Sequence, residues 1–310
     1  MTLRGPPDER SPAELLSFGV LNLDKQSGPS AHQVAGWVRD AVSDALETKT
    51  GDRGVEKAAH GGTLDPKVTG CLPILLGDAV RLAQVFLEGE KEYVTVLELH
   101  GLAPSSLEEV LSEFEGPVYQ TPPRKSAVSR RLRSREVYEL TPLEVEERRV
   151  LLRIRCESGT YIRKLCHHLG LALGTGGHMG DLRRTATEPF DDRDLVSLPD
   201  FVDALSAWTQ DGEDGPIQEV VQPAERALTH LPSVTIAPSA AREVAEGAPV
   251  YAPGVIESDV SGGDVTAGSG DEPPLVACYT PNGAAVCLGR LVGDPDADAG
   301  TVVELERVLV

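Results

Sequence analysis

Apolar positions along the chain follow two textures, one of period two and one close to period 3.6. "VLNLDK" (20–25) reads as a short strand, and "QSGPS" as a turn that opens a helix. In that helix Val34, Trp37, Val38, Ala41 and Val42 make one face, and Ser30 with Gln33 has capping-box spacing. "CLPILLG" reads as a short buried strand, "DAVRLAQVFLEG" as a helix stopped by Gly89, and "KEYVTVLELHG" as another strand. Ser105 and Glu108 repeat the capping-box spacing ahead of the helix "LEEVLSEFEG". In "RRVLLRIRCESG", Val150, Leu152, Ile154 and Cys156 face one way, while Arg149, Leu151, Arg153 and Arg155 face the other. A helix follows in "TYIRKLCHHLGLAL". Residues 197–208 form a last helix before "TQDGEDGPIQE", an acidic, glycine-containing linker candidate.

From about residue 230 the chain shifts to short valine- and alanine-rich runs parted by turns, one of them "PNG" at 281–283. Residues 257–274 read as a polar loop. The pattern predicts an α+β domain over residues 1–222, its N-terminal 18 or so an extension, and a small β-rich domain over 223–310. At 310 residues the chain is long enough for both.

The N-terminus, "MTLRGPPDERSPAELLSFGV", is polar and proline-rich without a signal-peptide core, and no apolar run is long enough to span a membrane. A cytoplasmic address is the expectation, with no membrane partner. The five cysteines are scattered without a CxxC pair, which fits small buried hydrophobes better than disulfides or a zinc knuckle.

The formal charge is −20, which ordinarily opposes a polyanionic partner. Its distribution changes that reading. Residues 124–184 carry 14 basic and 7 acidic side chains, against 5 and 23 in residues 185–310. Only 7 of the 29 basic residues are lysine, and this acid-rich, lysine-poor balance fits a salt-saturated cytoplasm. In molar salt the Debye length is about 3 Å, so only contact-range cations count toward a polyanion. "QTPPRKSAVSRRLRSRE" (120–136) holds six of them, including Arg124, Lys125, Arg130 and Arg131, and fits a phosphate-contacting surface.

Four further sets of residues bear on chemistry. "LGTGGHMG" (173–180) has the wrong spacing for a nucleotide fingerprint and follows a helix instead of a strand. Cys166, His167, His168 and His178 resemble a metal set only in composition, since helical spacing parts Cys166 from His167. "AAHGGTLDPKVTG" (58–70) sets Asp65 between a glycine pair and Pro66, and taken alone it is ordinary turn chemistry. Tyr161 and Arg163 sit in "CESGTYIRKL", where a strand breaks at Gly159 and a helix starts.

In combination these stretches resemble the pseudouridine synthases of the TruB/dyskerin family, and the likeness runs over nearly the whole chain. "LNLDKQSGPSAHQVAGWV" is similar to the family's opening motif, with Gln26 in place of the usual proline. "HGGTLDPKVTGCLPILLGDAVRL" is similar to the catalytic motif, with Gly61 where serine or threonine is common. "GEKEYV", "QTPPRKSAVSRRLRSREVYEL" and "CESGTYIRKLCHHLGLALGTGGHMGDLRRT" follow in the expected order. No extra thumb-forming stretch separates "VYELTPLEVEE" from "RRVLLRIRC", and the C-terminal region is similar to a PUA domain. Both features point to the archaeal–eukaryotic, dyskerin-like branch.

The resemblance implies a mixed, mostly antiparallel central sheet with flanking helices, followed by an RNA-gripping PUA domain. It implies an isomerase acting on uridines of rRNA and tRNA as the catalytic subunit of H/ACA guide-RNA particles, with small accessory proteins, and also on the tRNA T-loop without a guide. Residue by residue, it implies Asp65 as the catalytic carboxylate, Tyr93 as the stacking face for the target base and Arg163 as the partner of Asp65. Tyr161 and Leu182 would line the pocket, and His60 would help seat the nucleotide.

The chemistry accommodates this set. Uridine to pseudouridine breaks C1′–N1 and rejoins the base through C5, so no redox cofactor, metal or nucleotide energy source is expected. A carboxylate can attack C1′ or remove the 2′ proton. Burial disfavours a charged carboxylate and a neighbouring cation favours it, so a site closed to water is expected to need Arg163 beside Asp65. A catalytically silent RNA-binding scaffold is the alternative, and it would have lost the carboxylate.

Overall fold

In the computed structural model, residues 3–51, 54–122, 129–260 and 273–310 are described. The described residues build two sheets. The first begins with β1 (Gly19–Lys25) and β3 (Thr69–Leu76), both buried over nearly their whole length. Continuous apolar sequence makes them central strands, and the short β2 (Ala58–His60) lies along β3. The alternating segments become β4 (Lys91–Leu99) and β7 (Arg149–Cys156), each with one exposed face. Around them run β5 (Gly116–Gln120), β6 (Arg133–Glu146), β8 (Gly177–Thr187), β9 (Phe190–Asp191) and β10 (Gln222–Pro223).

Strand order is β10-β1-β3-β8-β4-β7-β6-β5, antiparallel except for β3 against β8, where Thr69 faces Arg183 and Gly70 faces Arg184. That short parallel seam lets no side chain stand at residue 70. Gly70 has φ +100°, and a Cβ there would sit 2.2 Å from the Arg184 carbonyl oxygen. The seam sutures the strand that follows Asp65 to the strand that carries Leu182 and Arg184.

One face is covered by α2 (Ala31–Thr50), α6 (Leu198–Ser206) and α7 (Gly215–Val220), whose Val34, Val38, Phe201 and Ile217 belong to one buried cluster with Leu72 and Ile74 of β3. The capping box at Ser30 and Gln33 is formed in both directions. Farther along the sheet, α4 (Leu107–Glu113) and α5 (Ile162–Ala172) cover β4, β6 and β7 with Leu111, Leu165 and Leu169.

The second sheet holds β11 (Ser233–Ile236), β12 (Val250–Tyr251), β13 (Val255–Ser258), β14 (Leu275–Tyr279), β15 (Ala285–Leu291) and β16 (Thr301–Val308), ordered β12-β16-β15-β14-β11-β13. The helix α8 (Pro238–Ala245) packs Ala241 and Val244 into its core. The sheets change over between Pro223 and Ser233.

Five local readings are corrected. Trp37 is 50% exposed, because the buried stripe of α2 runs through Val34, Val38 and Val42, a position away. "DAVRLAQVFLEG" splits into a 3₁₀ turn (Gly77–Leu82) and one α-turn, α3 (Val85–Glu88), short pieces that each bury an apolar pair. The Ser105–Glu108 box does not form, since the helix starts a residue later on Ser106, whose side chain makes no capping bond. "TQDGEDGPIQE" is no free linker and 197–208 is not the last helix, for α7 lies within it and Ile217 is fully buried. The loop expected at 257–274 starts later than expected, as residues 257–258 belong to β13, and 261–272 lie outside the described residues. All five cysteines are buried.

The N-terminal segment, read as an extension, is built into the seam between the sheets. α1 (Pro12–Ser17) buries Leu15 and Leu16. Ahead of it, Arg10 is 4% exposed and donates two hydrogen bonds to Glu225, at 2.7 and 2.6 Å. The same Glu225 accepts the Ala285 N–H of the second sheet at 3.0 Å. Arg4 lies 3.9 Å over the Phe18 ring and donates to the Leu309 carbonyl at 3.1 Å. Removing one partner of a buried ion pair leaves an uncompensated charge and costs about 3–5 kcal/mol. Arg10→Ala is therefore expected to lower unfolding free energy by that amount in denaturant titrations at fixed KCl. Arg39→Ala, which breaks an exposed pair with Asp40, is expected to change it by less than about 1 kcal/mol.

Candidate active site

Asp65 occupies the first position of a tight turn in which the Val68 N–H donates to its carbonyl at 3.0 Å, with Pro66 fixing the second position. Leu64 and Val68 on either side are 3% and 5% exposed and anchor the turn in the core under α2, while Asp65 itself faces outward. The Lys25 ammonium, 1% exposed, grips the turn from beneath. It donates to the carbonyls of Val68 at 2.7 Å, Pro66 at 3.1 Å and Gln26 at 2.9 Å. Burial lowers the Lys25 pKa, with the charge of Asp65 opposing. The Gly28 N–H adds a bond to the Pro66 carbonyl at 2.8 Å.

The glycine pair ahead of the turn serves packing. Gly61 is buried, and a Cβ there would meet the Phe86 ring at 2.9 Å. Gly62 has φ +98°, a conformation that favours glycine. The missing side chain of Gly61 makes room for Phe86.

Arg163, in the first turn of α5, reaches across 98 residues of sequence to bond Oδ2 of Asp65 through Nη2. That first turn contains no acid of its own. Their side chains are 52% and 55% exposed, so as a surface pair this contact adds at most about 1 kcal/mol to stability. Gln120, 2% exposed, fixes the approach: its Oε1 accepts the Tyr161 N–H at 2.8 Å and its Nε2 donates to the Tyr161 carbonyl at 3.3 Å.

Beneath the pair lies a cavity of about 530 Å³. Its wall includes Asp65, Tyr93, Tyr161, Arg163 and Leu182. Tyr93 stands on β4 with its ring packed toward the core under α5. Burial pushes its hydroxyl pKa up, and Arg184 opposes that shift through charge and a hydrogen bond. The inner wall is formed by Lys91 and Arg184, which are 3% and 1% exposed. Lys91 donates to the carbonyls of Gly89 at 2.7 Å and Phe86 at 3.0 Å. Arg184 donates to those of Cys71 at 2.8 Å and Gly62 at 3.2 Å. Burial, with Arg184 nearby, brings the Lys91 pKa down to about 8.

Five of the expected residues thus share one cavity. His60 does not line it: it ends β2 behind the glycine pair, with Nδ1 buried and unpartnered, and burial pushes its imidazole below the ordinary value. Arg130 and Arg131 are exposed and stand away from the cavity wall, Arg130 bonding the Pro122 carbonyl. Arg124 and Lys125 lie outside the described residues. Sequence reasoning passed over Lys25, Gln120, Lys91 and Arg184. A signal existed for Lys91, which shares the buried parity of β4 with Leu97 and Leu99. Among the described residues no three His, Cys, Asp or Glu side chains cluster as a metal site.

Residues 51–106 and 98–162 match the TruB family pseudouridylate synthase N-terminal domain, and residues 163–229 match the tRNA pseudouridylate synthase B C-terminal domain. The probable tRNA pseudouridine synthase B of Haloarcula marismortui is 63% identical, over 100% of this chain and 94% of that protein. Among solved structures, a Cbf5-Nop10-Gar1 complex contains a chain 40% identical, with a TM-score of 0.87, over 99% of this chain and 90% of that one. An H/ACA RNP bound to a substrate RNA containing 2′-deoxyuridine contains another, 38% identical with a TM-score of 0.86, over 99% and 90%.

The lowered Lys91 pKa sets a sign for stability against pH. Between about 8 and the ordinary 10.5 the unfolded chain holds the proton that the folded chain has released, so stability rises with pH in that window. The full shift corresponds to about 3 kcal/mol. Denaturant titrations from pH 7 to 10.5 are expected to show wild type gaining on Lys91→Met by up to that amount, with the gap flat below pH 7.

Proposed function

The chain belongs to the TruB family of pseudouridylate synthases and has their fold, and we propose that it isomerises specific uridines of rRNA and tRNA to pseudouridine. The supporting observation is the Asp65–Arg163 pair at the mouth of a cavity shared with Tyr93, Tyr161 and Leu182. An exposed pair of small energetic worth, held by a buried lysine and a buried glutamine, has chemistry to explain it better than stability does.

Asp65 attacks C1′ of the target uridine or takes its 2′ proton, and Arg163 supplies the counter-charge and aims it. The target base leaves its stack and lies against Tyr93. Tyr161 and Leu182 hold it in the cavity, and His60 acts from behind through the glycine pair. Asp65 is 55% exposed in the free chain, so the water exclusion expected from sequence is completed by the RNA itself. Arg124, Lys125, Arg130 and Arg131 contact RNA phosphates.

The protein works as the catalytic subunit of an H/ACA guide-RNA particle, with small accessory proteins, and also modifies the tRNA T-loop uridine without a guide. The 38–40% identity to chains solved in Cbf5-Nop10-Gar1 and H/ACA RNP structures supports this reading. Residues 223–310 are a PUA domain that grips RNA. The acid-rich composition and the Haloarcula relative support work in a salt-rich cytoplasm, and no described helix is long and apolar enough to cross a membrane.

Tritium release from RNA labelled at uridine C5 tests the assignment. Asp65→Asn is expected to reduce release to background while RNA affinity stays within about twofold, because binding rests on surfaces away from the carboxylate. Equal release from both proteins overturns it.

A further inference from the structure

The cavity is cationic at its inner end, in a chain of net charge −20. Lys91 and Arg184 are almost fully buried, and they donate to backbone carbonyls, with the Tyr93 hydroxyl also bonded to Arg184. Among the described residues neither forms an ion pair with a carboxylate, and Glu188 acts on Lys91 as a more distant charge that opposes the effect of burial. A buried cation held only by dipoles is costly, and two side by side cost more. They converge on Gly62, where a Cβ would sit 3.2 Å from Nη1 of Arg184 and 3.9 Å from Cε of Lys91. The space between them is open because residue 62 has no side chain.

Depth orders what faces them. The half-exposed Asp65 and Arg163 stand at the mouth, so the ribose that Asp65 attacks stays there and the base extends inward. When C1′–N1 breaks, the bonding pair remains on N1, and the detached base carries a negative charge shared with O2 and O4. C1′ meanwhile bonds to Asp65, or the C2′–H pair forms a C1′=C2′ bond as Asp65 takes the proton. The charge persists until C5 bonds C1′, either as the Asp65–C1′ bond breaks and returns its pair to the carboxylate or as Asp65 gives the proton back to C2′; the C5 proton then leaves and N1 is protonated. Substrate and product are isomers, so nothing else is consumed.

We propose that Lys91 and Arg184 stabilise the detached uracil anion between bond breaking and bond making, a role that deepens the function proposed above and rests on it. Backbone carbonyls already orient both cations, so they answer the developing charge without reorganising, in surroundings that water and salt do not screen. The lowered Lys91 pKa, about 8, adds that part of this charge is lost in mildly basic solution.

The experiment varies the leaving group. Single-turnover loss of the N-linked nucleoside, a step that needs no C5 proton and so reads both bases alike, is followed with saturating full-length protein on a tRNA transcript. The transcript carries uridine in one preparation and 5-fluorouridine in another, fluorine making the base a better anion. Lys91→Met is expected to slow uridine on the order of 10²-fold, the size seen on losing one preorganised charge partner. It is expected to slow 5-fluorouridine several times less, while Lys91→Arg keeps most of the rate. Wild-type rate on uridine is expected to fall as pH passes about 8, a limb absent from Lys91→Met. Equal slowing of both bases overturns the inference in favour of a packing role. Weakened RNA affinity with an unchanged saturated rate overturns it in favour of phosphate binding. A wild type that converts neither base overturns the underlying function as well.

Discussion

The Lys25 ammonium is the fixed point of the site. It lies at the end of β1, opposite Gly70 in the register with β3, and binds three carbonyls of the loops on either side. With Leu64 and Val68 buried alongside, the turn between them has one arrangement, and its exposed carboxylate has one direction. Every other part of the site is aimed at that direction. The β3–β8 seam brings in Leu182 and Arg184, the antiparallel β4 brings Tyr93 beside them, and Gln120 holds the strand-to-helix junction so that Arg163 arrives from the opposite wall.

How much of this was readable in one dimension depended on whether a signal was local. β1, β3, β4, β7, α2 and α5 were legible because their apolar spacing and the Ser30 cap lie within a few residues. α7 was not, since it announces itself by one buried isoleucine inside an acidic run. The false cap at Ser105 had the right spacing and lost to a helix starting one residue later. In the site, the turn at Asp65 was legible as a turn. Its partnership with Arg163, Tyr93, Tyr161 and Leu182 came from likeness to a family, because no periodicity reports a contact across 98 residues. The buried cations were missed for a related reason: a lysine in a strand is ordinarily read as solvated, and only the pairing shows where it points.

Charge is organised by depth as well as by segment. The exterior is acidic, as suits high salt, where distant charges are screened within a few ångströms. Three of the chain's cationic groups lie where salt does not reach. Lys25 holds a backbone, and Lys91 and Arg184 line the cavity, each bonded to carbonyl oxygens instead of an acid. A protein can carry a strongly negative surface and still offer RNA a positive interior, since the two charges act over different distances in different media.

The N-terminal segment carries a consequence for the order of folding. Arg4 bonds the Leu309 carbonyl and Arg10 bonds Glu225, which also accepts the Ala285 N–H, over separations of up to 305 residues. Contacts so far apart in sequence close late, because most of the chain must be ordered before they can form. The buried arginine and glutamate of this seam therefore stay unpaired until both sheets are in place.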